Sequence, residues 1–382
     1  MRVLIVGGGI AGLAAAIGLA RVGAQVTVME QARQFGEVGA GLSVWPNALR
    51  ALDELGVAEQ VRARARMARR PVIRDVSGRA LSTTDLAEME RLFGPLLMIH
   101  RAELLDVLVG ALPAPVTLRR GVVVKAVQSD GSVAHSAGTT GADLVVGADG
   151  INSTVRTGLW RQARRPRYLG YSTYRMLTDP SDIDEEGEMW GRGLRFGWAP
   201  LPDGRVYCFA VVNTPAGEGP QALPQVAERF SGWHAPVPQL LRAVPPEAVL
   251  HHDLYELPPL STYVSGRVGL IGDAAHGMAP NLGQGAGQGI EDAVTLAAVL
   301  NAAPSIPAAL AAYDQQRRSR TQSVARRSRL IGVIAQLQSA PVVAVRDAVM
   351  RCTPDRAVFR SLKPVLSWQP PSGTGRWRNG GV

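Results

Sequence analysis

The chain has 382 residues, 46% of them hydrophobic, which allows two or three domains and a sizeable core. Its formal charge of +9 invites a nucleic-acid reading, yet Lys125 and Lys363 are the only lysines among 41 basic residues. The densest arginine runs, 62–70 and 317–329, lack the interleaved aromatics of a strand-binding surface, so they read as solvated helix faces, and no nucleic-acid partner is expected.

No apolar stretch approaches bilayer length, and glycines interrupt the apolar start where a secretory segment would be continuous. Cys208 and Cys352 form neither a disulfide framework nor a metal site and are expected to be inert packing residues. A cytoplasmic protein without a metal is the expectation.

Along the chain, a buried strand (Val3 to Val6) leads through a glycine turn into a helix with apolar spacing at Leu13, Ile17 and Leu19, then a second strand ending at Glu30. Gly7, Gly9 and Gly12 satisfy G-x-G-x-x-G between strand and helix, where they permit a tight turn, close approach of backbone to a pyrophosphate and close helix packing. Glu30 stands where a carboxylate accepts ribose hydroxyls. A loop with glycines at 36, 39 and 41 follows, then a helix from about Pro46, with Trp45 and Pro46 as core and helix-start residues. "ADLVVGADGINSTVR" is a buried strand ending at Asp149-Gly150, after which Ser153 and Arg156 either cap a helix or touch a cofactor. Residues 160–270 read as a sheet. If the segment from Tyr171 to Leu177 is extended, Tyr171, Thr173, Arg175 and Leu177 share one face, and Ser172, Tyr174 and Met176 the other. "GRVGLIGDAAHGMAPNLGQGAGQGIEDA" is a third strand ending in Gly272-Asp273. Glu291 and Asp292 there are expected to be structural or exposed.

The fingerprint with Glu30, "GAGLSVWPNALRAL", "IHRAELLDVL", "GADGINSTVR" and the Gly272-Asp273 segment resemble the single-component FAD-dependent aromatic hydroxylases, the para-hydroxybenzoate hydroxylase-like family, over nearly the whole chain. The resemblance implies an α/β fold: a Rossmann-type FAD-binding domain (1–67, 99–160 and 268–300), an inserted, mainly antiparallel β-sheet substrate domain (68–98 and 161–267), a C-terminal helical region (301–368) and a flexible tail (369–382). It implies that Gly7, Gly9 and Gly12 hold the FAD pyrophosphate and Glu30 the adenosine ribose, with Gln31, Arg33 and Ser43 as nearby polar contacts. Arg101 would reach the pyrophosphate or flavin, Val124 the adenine, Asp149 both cofactors and Asp273 the ribityl chain, while Gly283, Gly285, Ala286 and Gly287 present backbone N–H groups to the flavin.

Arg195 and Tyr207 match substrate-site positions of the urate-hydroxylase branch, but Asn281 replaces an aspartate, which argues against urate because an amide neither pairs ionically with arginine nor takes a proton. Tyr174 and Trp190 join Arg195, Tyr207 and Asn281 as candidate ring contacts, Gly287 is expected to leave more room, or a looser loop, beside the isoalloxazine, and the resemblance implies that His276 supports its loop rather than moving protons. The implied reaction consumes NADPH or NADH and O2 and inserts one oxygen atom into an aromatic or polycyclic molecule through a flavin C4a-hydroperoxide, in a monomer or homodimer. An epoxidase or antibiotic oxygenase of the same family and a non-catalytic flavin-binding protein are the alternatives. A halogenase fits less well, since "LRFGWAPLP" lacks that family's tryptophan-rich motif.

Overall fold

In a computed structural model, residues 1–35, 41–69, 71–114 and 116–371 are described. The loop glycines at 36 and 39, and residues 372–382 of the expected tail, lie outside them. The apolar run Arg2–Val6 is the centre of a six-stranded sheet, pairing in parallel with Gln25–Glu30 on one side and Leu144–Gly147 on the other. Val116–Arg120 and Val268–Leu270 extend it in parallel, and the short strand Val264–Ser265 closes one edge antiparallel. Strands buried on both faces must be apolar throughout, and Val3 to Val6 and Leu144 to Val146 are all below 5% exposed. The helices Ile10–Arg21 and Gly285–Ala302 pack against each other in this core through small residues: Gly18 lies against Ala297 and Ala293, and Gly289 against Ala11.

A seven-stranded sheet forms the second layer, in the order Val249–Glu256, Arg167–Leu177, Val206–Asn213, Leu194–Pro200, Gly187–Trp190, Val72–Asp75, Ala80–Thr83. All its pairings are antiparallel except that of Gly187–Trp190 with Val72–Asp75. Alternation along the strands sends Tyr174, Met176, Phe196, Cys208 and Ala210 into an apolar cluster with Phe230 and Leu240 on one face. The other face carries Thr173, Arg175, Arg195, Tyr207, Phe209 and Val211 toward the first layer.

The 30-residue helix Ile306–Ala335, about 45 Å long at 1.5 Å per residue, spans both layers. At one end Tyr313 donates to Leu270 O in the parallel sheet, and at the other Gln336 bonds Asn213 of the second sheet. Two further helices, Ala340–Cys352 and Asp355–Leu366, complete the C-terminal region. Cys352 is exposed rather than packed, whereas Cys208 is buried, which pushes its thiol pKa up.

Candidate active site

The carboxyl ends of the parallel strands Arg2–Val6, Leu144–Gly147 and Val268–Leu270 meet the inner face of the second sheet across a cleft of about 400 Å³. Ligands of open α/β sheets bind at such strand ends. Backbone geometry explains the glycines there. Gly7 has φ +106°, a conformation that side chains disfavour, and a Cβ on it would fall 2.4 Å from Ala148 O. A Cβ on Gly12 would fall 2.0 Å from Gly7 O, whereas Gly9 faces open space. The helix that begins at Ile10 has no side-chain cap and no acid in its first turn, leaving its N-terminal N–H groups for an anion. The helix Gly285–Ala302 also starts without a side-chain cap, beside Asp273.

Of the residues expected at the site, Gly9, Ser43, Arg101, Asp273, Gly283, Gly285, Ala286, Arg195, Tyr207 and Asn281 all line this cleft. Gly7 and Gly12 shape the turn beneath it. Glu30 ends its strand accepting from Gly8 N (2.6 Å) and Ala32 N (2.7 Å), and Gln31 and Arg33 are exposed beyond it. Val124 lies farther out, two residues past Val122, whose N–H donates to Glu30 O.

Four expectations need correction. The Asp149 carboxylate accepts Ser153 Oγ (2.5 Å) and Val155 N (3.1 Å), so it closes its own loop rather than facing the cleft; burial raises its pKa against these bonds. Gly287 points away from the cleft, its Cβ direction meeting Ala48 at 3.2 Å, so its small size serves helix packing and leaves no room for a ring. Tyr174 faces the apolar cluster behind the sheet. Trp190 shares a face with Glu188 but is covered by Ala335 and by Arg346, whose guanidinium stacks 5.6 Å from its ring.

Ser153 caps its helix through Arg156 N, and Arg156 donates to Ala274 O and Ile151 O, a structural use of both. His276 is buried with Nε2 2.5 Å from Asp292 Oδ2. Asp292 also accepts Gly272 N, fixing the turn that presents Asp273. Glu291 and Asp292 are fully buried and paired with Arg317, itself 1% exposed, so that arginine belongs to the core and not to a solvated face.

Electrostatics divide the arginines of the cleft. Arg195 donates to Glu188 Oε1 (3.2 Å) and to Asn281 Oδ1 (2.7 Å), and Asn281 in turn donates to Tyr171 Oη (3.1 Å) and Ser328 O (2.9 Å). Its charge is matched by Glu188, a residue that sequence reasoning missed because the pair forms only when two antiparallel strands register. Gly332 makes this cluster possible, since a Cβ there would lie 2.3 Å from Asn281 Nδ2. Arg101 and Arg175 enter the cleft with no ion pair or hydrogen bond among the described residues. Burial lowers the Arg101 pKa, Asp273 opposes the shift and Arg175 adds to it. Burial raises the Tyr207 phenol, and Arg175 moderates the rise. Two unpaired guanidinium groups close enough to repel make a site for an anion. With the uncapped helix starts and the open direction at Gly9, the donor set fits a flavin dinucleotide. No group of side chains among the described residues is arranged to hold a metal.

Residues 1–178 and 259–328 match the FAD_binding_3 family, described as an FAD binding domain. The chain is 38% identical over 380 residues to the aurachin C monooxygenase/isomerase of Stigmatella aurantiaca, covering 97% of this chain and 99% of that protein. The chain belongs to the FAD-dependent aromatic hydroxylases. The 3-amino-4-hydroxybenzoate 2-monooxygenase of Streptomyces cremeus is 35% identical to this hydroxylase over 93% of both chains. Among solved structures, Klebsiella pneumoniae HpxO complexed with FAD and uric acid superposes with a TM-score of 0.89 at 28% identity, covering 98% of both chains. The fold of this family member is therefore a Rossmann-type FAD-binding domain with an inserted, mainly antiparallel sheet and C-terminal helices. It is an FAD-dependent monooxygenase that uses NAD(P)H and O2.

Proposed function

We propose that the cleft holds FAD along its parallel-strand side and an aromatic substrate under the inner face of the seven-stranded sheet, where the ring is hydroxylated. The observation that carries this reading is the convergence of Asp273 and the uncapped start of Gly285–Ala302 with Arg195, Tyr207 and Asn281 in one cavity. Reduced FAD with O2 supplies an electrophilic oxygen atom; the chain supplies position, charge and dryness. Gly7, Gly9 and Gly12 with the N-terminus of Ile10–Arg21 would hold the pyrophosphate, Glu30 the ribose and Asp273 the ribityl hydroxyls, since carboxylates accept from hydroxyls. Arg101 and Arg175 would face the negative charge of the bound cofactor.

Tyr207, Phe209, Val211 and Leu254 give the substrate an apolar wall. Arg195, already balanced by Glu188, offers its remaining hydrogen-bonding capacity to a polar substituent without demanding a full negative charge. That balance favours neutral or phenolic aromatic molecules over carboxylates, and Asn281 in place of an acid argues against urate. The sheet covering the cleft excludes the water that would waste the reactive oxygen. The test is a panel of phenols, hydroxyquinolines and benzoates added to holoprotein with NADH or NADPH. The reading expects at least one phenolic or heteroaromatic compound to stimulate reductant consumption and yield a product 16 mass units heavier, the mass of one added oxygen. A purified protein without FAD, or one with no stimulation across the panel, would sink it.

A further inference from the structure

Of the described side chains that line the cleft, two are carboxylates, Asp273 and Glu188. Asp273 stands beside the start of the helix Gly285–Ala302, on the cofactor side. Glu188 comes from the seven-stranded sheet, where Gly187–Trp190 pairs antiparallel with Leu194–Pro200 and sets Glu188 opposite Gly197. Gly197 has no side chain to fill the space, and the Phe209 ring lies over it, since a Cβ there would fall 2.0 Å from Phe209 Cζ. The carboxylate therefore borders the apolar wall of the substrate side.

Half of this carboxylate is in use. Oε1 accepts from Arg195 Nη1 at 3.2 Å, whereas Oε2 accepts no hydrogen bond among the described residues. The Arg195 side chain is 4% exposed and that of Glu188 24%, so the carboxylate is the member of the pair that a ligand can reach. Arg195 Nη2 donates to Asn281 Oδ1, and Asn281 donates to Tyr171 Oη and Ser328 O, which fixes the guanidinium and, through it, the carboxylate. A carboxylate oxygen shut away from water needs a donor, and the hydrogen bond it accepts is charge-assisted. Arg195 and Glu188 balance each other, so a neutral donor adds no charge to the site. A ligand carboxylate there would set a second negative charge beside Glu188, where little water screens it. An ether offers Oε2 no hydrogen and leaves it desolvated and unpaired.

We propose that Glu188 determines which aromatic molecules the cleft accepts: its Oε2 takes a hydrogen bond from a hydroxyl or ring N–H of a neutral substrate and turns away carboxylates and ethers. The inference rests on the hydroxylation reading above and narrows its substrate class to hydrogen-bond donors. Arg195 holds the carboxylate in place and balances its charge.

The test compares FAD-loaded wild type with Glu188→Gln and Glu188→Asp, using 2-naphthol, 2-methoxynaphthalene and 2-naphthoate, which share one ring system. Binding is read from the perturbation of the oxidised flavin absorbance, with no reductant present. Wild type should bind the naphthol about tenfold or more tighter than either analogue, the scale of a lost charge-assisted hydrogen bond. Glu188→Gln should weaken naphthol binding about tenfold and tighten naphthoate binding, because Arg195 is then left with an unbalanced charge. Glu188→Asp keeps the charge and should keep the naphthol ahead of the naphthoate. FAD content should be equal in the three proteins. A general loss of structure would weaken every ligand together and could not tighten the naphthoate. An unchanged order of affinities in Glu188→Gln, a parallel loss for all three ligands, or a wild type that does not prefer the naphthol would overturn the proposal. Because binding is measured without turnover, oxygenation can fail while the selectivity holds, and the selectivity can fail while oxygenation proceeds, so the two readings fall separately.

Discussion

Asp273 and His276 stand three residues apart and do different work. Asp273 faces the cleft, while His276 is turned inward onto Asp292. Asp273→Ala should therefore strip FAD from the purified protein, read as a large loss of the visible flavin absorbance per mole of protein. His276→Ala should retain a larger share of its FAD while lowering Tm, because it removes a buried bond beneath the turn; equal FAD content in wild type and Asp273→Ala would contradict this assignment. Gly197 sets the depth of the substrate wall: a Cβ there would lie 2.0 Å from Phe209 Cζ. Gly197→Ala should push the Phe209 ring out of place and raise the substrate KM about tenfold, the effect of roughly 1.4 kcal/mol of lost contact, with FAD content preserved. A KM unchanged by this substitution would remove Phe209 from the substrate wall.

At the scale of elements, the helices Gly285–Ala302 and Ile306–Ala335 are joined by a buried ionic network. Arg317 pairs with Glu291 and Asp292, Arg320 pairs with Glu291, and Asn47 and Gln288 also donate to Glu291. Burial alone would raise the Glu291 carboxyl, but Arg317 and Arg320 outweigh it; for Asp292, His276 and Arg317 do the same, and both pKa values lie below the ordinary range. Depressed carboxylate pKa values contribute stability that is present above the unfolded values, about 3.9 and 4.3, and lost as pH falls through the folded ones. Arg317→Ala leaves two buried charges short of a partner and should cost about 3–5 kcal/mol. Denaturant titration at neutral pH measures that cost. In Glu291→Gln the loss of Tm below pH 5 should be shallower than in wild type; an identical acid profile would mean the carboxylate does not carry the effect.

The pairing was invisible in the sequence, where Glu291 and Asp292 read as structural or exposed and Arg317 as part of a solvated face, because the partners lie 25 and 26 residues apart and meet only when two helices pack. The glycine fingerprint was legible for the opposite reason, since Gly7 and Gly12 answer to backbone crowding within one strand–turn–helix unit. Trp190 and Glu188 share a sheet face, and only the C-terminal helices decide that one is covered and the other is free to meet Arg195.

For the whole molecule, two sheets do separate tasks and the long helix Ile306–Ala335 ties them together. The parallel sheet brings three strand ends to the cofactor side, and the antiparallel sheet turns one face of alternating side chains toward them. No helix among the described residues is long and apolar enough to cross a membrane. The arrangement predicts that chemistry happens between the layers and that its oxygen comes from O2. The most direct test is turnover of an accepted aromatic substrate by the FAD-loaded enzyme with NAD(P)H under 18O2, followed by mass spectrometry of the product. The account predicts one 18O atom per product molecule and none when the label is in water. Product carrying oxygen from water, or reductant consumed without any oxygenated product from every substrate that stimulates it, would contradict the account.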